Sequence, residues 1–310
     1  MDIQQSNELI KCPKCGFEHS AGDSECVRCG IIFKKFKSCL AYNHPLQHNR
    51  HHESQEELFL QNIDQKGLLS LCVGGVAATL IFIFPFWVTV FHTFPILVHE
   101  FGHTVFGWLF GYPTIPAFDF IYGGGVAVHF DRKPVLLIVI YLLCAFLLYT
   151  FRKNTVSFLL IIGCILVYTG MAFTRIHEVL ILFMGHGMEL IFAVIFLYRA
   201  ISGSSIIVSA ERPLYAFVGF FTQFCNIDFA YKLLTNKEFR FLYIQGKGGM
   251  LANDFVRIAY NYLNINLNSI VYFFLLLSFL PPIIAFLAHR YLAYWGTMLS
   301  RLLHTELEDR

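Results

Sequence analysis

The chain reads as a mainly α, polytopic α-helical membrane protein, and three observations predict that class. Its residues are 56% hydrophobic and 17% aromatic with only 14% charged, and mean hydropathy is +0.58, outside the range of soluble globular domains. Apolar runs recur from Leu68 onward, and several match the roughly 30 Å of a hydrocarbon core. Ionisable residues inside those runs are few, and two groups of them stand out: His99, Glu100 and His103 in one, His186 and Glu189 in another, with Glu178 two turns before the latter pair. Such groups are costly at membrane depth and mark function by default.

A net charge of +2, with no basic run interleaved with aromatics, speaks against nucleic acid. Residues 1–10 are polar and lack the basic and apolar regions of a cleavable signal peptide, so insertion is expected to rely on the later helices. The first segment, 1–37, is read as a zinc ribbon. Cys12-Pro13-Lys14-Cys15-Gly16 and Cys26-Val27-Arg28-Cys29-Gly30 are two hooks, each able to present two thiolates to one ion. Four thiolates close a tetrahedral shell and leave no open position, which predicts a structural zinc and a segment that folds with its metal. A metal-type use of cysteine implies a reduced compartment, hence a cytoplasmic N-terminus. The other five cysteines, Cys39, Cys72, Cys144, Cys164 and Cys225, are scattered and read as small apolar residues. Lys34, Lys35 and Lys37 read as a positive-inside flank. Residues 38–66, with His44, His48, His51 and His52, read as a polar linker ending in a surface helix.

The core is expected over 67–228. A first span runs from Leu68 to Phe91, and a second helix follows with Pro95 in its first turn, where a missing N–H costs nothing. That helix carries His99-Glu100-Phe101-Gly102-His103. Residues four apart share a face, so both imidazoles can hold one divalent ion while Glu100 serves as general base toward its water. Pro95 would place His99 one to two turns below the surface, giving water a short route. The stripe His103, Gly107, Gly111 lets a partner backbone approach. Alternation on both sides of Gly123-Gly124-Gly125 predicts a possible re-entrant β-hairpin, whose edge suits an extended peptide.

Spans follow at Val135–Thr150, Val156–Thr174 and Ile176–Ala200, with a shorter or re-entrant segment over Leu214–Cys225. Within Ile176–Ala200, His186 and Glu189 lie one turn apart and about 60° apart around the axis, close enough to share an ion. They are the first candidates for a third ligand, with a plain hydrogen-bonded pair as the alternative. Asp228 is a further candidate. Residues 229–268 read as a polar insertion with an amphipathic helix near Asn253–Leu263, and 269–310 as a last span kinked at Pro281-Pro282 with a short tail. This makes about six to seven spans. Arg132-Lys133 and Arg152-Lys153 bound the same span, so the basic residues fix no further topology.

His99, Glu100 and His103 in a membrane helix followed by a glycine-rich hairpin resemble the site-2 protease family of intramembrane zinc metalloproteases, over roughly residues 68–200. The resemblance implies one catalytic zinc in the membrane, which with the structural zinc expected from the cysteine spacing of the ribbon makes two in all. It implies zinc ligation by His99 and His103, water activation by Glu100 and a membrane-protein substrate cleaved within or beside the lipid bilayer. That family takes its third ligand from an aspartate in a motif ending Asp-Gly, and this chain contains no Asp-Gly. Asn226-Ile227-Asp228 is the nearest imitation. A gluzincin-like arrangement, with Glu189 as ligand and His186 stabilising the oxyanion, fits the same residues. The ribbon is expected to recruit a substrate or protein partner. The rival from another class is a non-catalytic metal-binding membrane protein.

Overall fold

A computed structural model describes residues 9–11, 18–20, 24–26, 61–119, 124–246 and 253–303. The chain divides into two units, Met1–Ser54 and Gln55–Arg310. In the first, β1 (Leu9–Lys11) and β2 (Glu18–Ser20) form an antiparallel pair with Ile10 opposite His19. Cys26 is buried at 1% exposure. Cys12, Cys15 and Cys29, and the histidines of the 38–60 linker, lie outside the described residues.

The second unit is mainly helical. Helix α1 (Gln65–Ile83) is capped by Asp64, whose carboxylate accepts the Gly67 N–H at 2.9 Å. Its buried side is a row of small residues, Gly67, Ser70, Gly74 and Ala78. A Cβ on Gly74 would lie 2.4 Å from that of Ala216, so the facing helix approaches to backbone distance. Phe84 breaks the helix and Pro85 opens α2 (Pro85–Leu109). The expected start at Pro95 is therefore displaced: Pro95 sits buried in the helix interior, and His99 lies roughly 21 Å along the axis from the first turn. Gly111, at φ +89°, turns the chain into the hairpin of β3 (Thr114–Asp119) and β4 (Gly124–His129), paired with Pro116 opposite Ala127. The hairpin lies on α2, and a Cβ on Gly107 would come within 2.1 Å of Thr114 Oγ1.

Helices α3 (Pro134–Thr150) and α4 (Thr155–Ala172) form an arm tied by Tyr141 and Thr169, whose hydroxyls are 2.9 Å apart. No residue of α3 is buried. Helix α5 (Ile176–Ser202) is the central element, packed on α2 and on α6 (Glu211–Thr235). The segment expected to be short or re-entrant over Leu214–Cys225 is thus part of one continuous helix. Near its start Arg212 donates to the Ala200 and Ile201 carbonyls and to Asp64, so one guanidinium joins α6 to the end of α5 and the cap of α1.

Helix α7 (Lys237–Gln245) is followed by a single turn, α8 (Asp254–Val256), that widens into a π-helix at Arg257–Leu263. The stretch read as a polar insertion is apolar on one side. Phe255, Ile258, Ala259 and Leu267 are buried with Leu182 of α5 and Leu233 of α6. Helices α9 (Leu267–Ser278) and α10 (Leu280–Arg290) are separated at Phe279, just before Pro281-Pro282, where the expected kink falls. Helix α11 (Leu292–Leu303) ends the described chain. Among the described residues four stretches are long and apolar enough to cross a membrane: Gln65–Ile83, Thr155–Ala172, Ile176–Ser202 and Leu267–Arg290.

Candidate metal centre

Helix α2 meets α5 where each carries a glycine. A Cβ on Gly102 would sit 2.0 Å from the Met184 carbonyl oxygen, so only glycine permits this spacing. On that face His99 and His103 stand one turn apart, with ring centroids 4.7 Å apart. Each imidazole is anchored through Nδ1 to α5. His103 Nδ1 lies 2.7 Å from the Ile181 carbonyl oxygen, and His99 Nδ1 lies 2.7 Å from Glu189 Oε1. Both partners are acceptors, so both Nδ1 atoms carry a proton, and in the neutral rings both Nε2 atoms turn a lone pair inward.

The inward atoms converge. His99 Nε2 and His103 Nε2 are 3.0 Å apart, and Asp254 Oδ2 lies 3.1 Å from each. With both rings neutral this is a triangle of three acceptors, the donor set of a cation site, whereas a proton on either Nε2 would pair that ring with Asp254 instead. A tetrahedral ion with bonds of about 2.0–2.1 Å needs donors about 3.3 Å apart, close to the spacing observed. The space in front of the two Nε2 atoms is kept by Gly185, whose Cβ would fall 2.5 Å from His103 Nε2 and 2.6 Å from His99 Nε2. Donor type, spacing and clearance all fit a divalent metal.

Two groups among the described residues could hold an ion: His99, His103 and Asp254, or His99, His186 and Glu189. In the second, His186 Nδ1 lies 3.4 Å and His99 Nδ1 2.7 Å from Glu189 Oε1. His186 is packed against Phe229, Phe255 and Phe274, at centroid distances of 4.7, 4.8 and 4.9 Å. Asp228 joins neither group and pairs instead with Lys232 at 2.6 Å.

His99, Glu100, His103, His186 and Glu189 all line one cavity of about 320 Å³. Residues Gly124–Ala127 of β4 line it too, so a strand of the hairpin borders the centre. Gly125 faces Glu100 so closely that a Cβ would lie 2.2 Å from Glu100 Cγ. Further residues lining the cavity, unmarked by spacing in the sequence, are His129, Asn226, Tyr243, Asn253, Asp254 and Arg257. His129 Nδ1 is 2.9 Å from Thr114 Oγ1, which donates its own proton to the Tyr112 carbonyl. Burial, with His103 and Arg257 nearby, pushes the His129 pKa down.

The one signal for Asp254 in the sequence is its place at the head of Phe255, Ile258, Ala259 and Tyr262, an i, i+3, i+4, i+7 apolar row that announces a buried helix face. Comparison with models of protein families, with curated proteins and with solved structures finds no match to the chain.

Proposed function

We propose that the membrane unit is an intramembrane zinc metalloprotease in which His99, His103 and Asp254 hold the metal and Glu100 is the general base. The observation that carries this reading is the convergence of three acceptor atoms beside Glu100, in a cavity bordered by a strand edge. The aspartate that a resemblance to site-2 proteases calls for is then Asp254, preceded by Asn253 and followed by Phe255 rather than glycine. Glu189 acts from behind His99, in the carboxylate–histidine–metal relation that fixes the ring and raises its basicity. His186 in turn steadies Glu189. Zinc, when bound, supplies polarisation of the scissile carbonyl and a water acidic enough to be deprotonated near neutral pH. Glu100 takes that proton and returns it to the leaving amine. The substrate peptide lies extended along β4, where it adds as a strand and leaves its scissile bond at Glu100.

The wider reading is a protein of about six to seven spans with a cytoplasmic N-terminus, whose ribbon cysteines Cys12, Cys15, Cys26 and Cys29 bind a structural zinc and whose ribbon recruits substrate or a protein partner. The test is peptide hydrolysis by the purified, zinc-loaded chain. Glu100→Gln should keep the membrane zinc and lose about 10²–10⁴-fold in rate. A variant that cleaves as fast as the native chain rules out catalysis through this centre.

A further inference from the structure

The cavity has a second polar feature that metal binding does not use. Asn226 lies on α6, flanked by Phe224, Cys225 and Ile227, and is 1% exposed. Its amide nitrogen is buried and has no hydrogen-bond partner among the described residues, although the residue lines the same cavity as His99 and Glu100. A buried amide left unpaired is a standing cost to the folded chain, and native proteins keep such groups where something else completes them. A carboxamide presents N–H donors and a carbonyl acceptor in one plane, and the unpaired Nδ2 of Asn226 can donate to the carbonyl of a peptide group. Asp254 and Glu100 serve the reacting centre, whereas Asn226 belongs to another wall of the cavity.

We propose that Asn226 hydrogen-bonds a backbone peptide group of the bound substrate, acting as a positioning residue for the reaction proposed above. This inference rests on the peptidase reading. It assigns the α6 wall to the main chain of the substrate, so recognition there is independent of substrate side chains.

The test compares two metal-directed probes on the full zinc-loaded chain: acetohydroxamate, which has no peptide group, and a dipeptidyl hydroxamate, which has two. Asn226→Leu, which keeps the branched skeleton of the side chain without its polar atoms, should weaken the dipeptidyl probe by about 10–100-fold, leaving acetohydroxamate affinity and zinc content unchanged. Asn226→Ala, which leaves room in place of the amide, should show the same selective loss and covers the case in which the leucine variant does not fold. Equal affinity of native and variant chains for the dipeptidyl probe overturns the proposal. So does a parallel loss for both probes, the sign of a merely structural role. If the native chain binds neither probe, the peptidase reading itself fails and this inference falls with it.

Discussion

Gly185→Ala separates the metal centre from the helices that carry it. The added methyl would lie 2.5 Å from His103 Nε2 and 2.6 Å from His99 Nε2, where ordinary contact begins at 3.4 Å. The two rings must retreat by roughly 0.9 Å, or the methyl takes the space in front of both lone pairs. Neither ring can retreat freely, because each is tied through Nδ1 to α5, the helix that carries residue 185. Disturbing even the groups behind metal ligands costs about 10–100-fold in affinity, and here the ligand atoms themselves are pushed. Helix propensity works in the opposite sense, since alanine in a helix interior is favoured over glycine by about 0.5–1 kcal/mol. The expected outcome is an intact fold that has lost its membrane zinc. The assay is zinc per chain by mass spectrometry in a zinc-buffered detergent solution, with the thermal midpoint measured on the same sample. A variant that keeps the native complement of zinc refutes the placement of the ion between the two Nε2 atoms.

Two other perturbations address neighbouring parts of the account. Gly125→Ala would drive a methyl into the Glu100 side chain, so hydrolysis should fall by about 10²-fold or more with zinc retained, as a misplaced catalytic group implies; parallel hydrolysis and zinc assays check this, and a native rate contradicts the role given to the hairpin. Hydrogen bonding from Arg212 holds the Asp64 carboxyl below its ordinary value of 3.8. A depressed folded-state pKa gives stability that is present above the unfolded value and lost as pH falls through the folded one. Thermal midpoints should therefore drop more steeply below about pH 4 in the native chain than in Asp64→Asn; parallel curves for the two remove the pair from the account.

The parts of this molecule that were legible beforehand are those written in short range. His99, Glu100 and His103 are read together because a helix returns to the same face every four residues. The hairpin is announced by alternation around Gly123–Gly125, and the break near Pro281-Pro282 by ring geometry. His186 and Glu189 were also legible as a pair, though not their place behind His99, which depends on how closely Gly102 lets α2 approach α5. Asp254 is different in kind. It lies 151 residues beyond His103, at the head of an apolar row that announces a buried face but no metal chemistry, and no Asp-Gly marks it. What brings it to the histidines is the burial of Phe255, Ile258 and Ala259 against α5 and α6, a tertiary preference that a polar-looking stretch conceals. The start of α2 is hidden for a similar reason: Pro95 suits a first turn locally, but the chain is already helical from Pro85.

The central claim is that Asp254, and neither His186 nor Glu189, completes the metal centre. Zinc stoichiometry of the full-length chain and its single variants tests it most directly. Two zinc ions per native chain are expected, one in the ribbon and one at His99, His103 and Asp254. Asp254→Ala and His99→Ala should each retain one, whereas Glu189→Ala should retain two with about 10–100-fold weaker binding at the second. Two ions held by Asp254→Ala, with one lost outright in Glu189→Ala, would contradict the account and move the ion to His186 and Glu189.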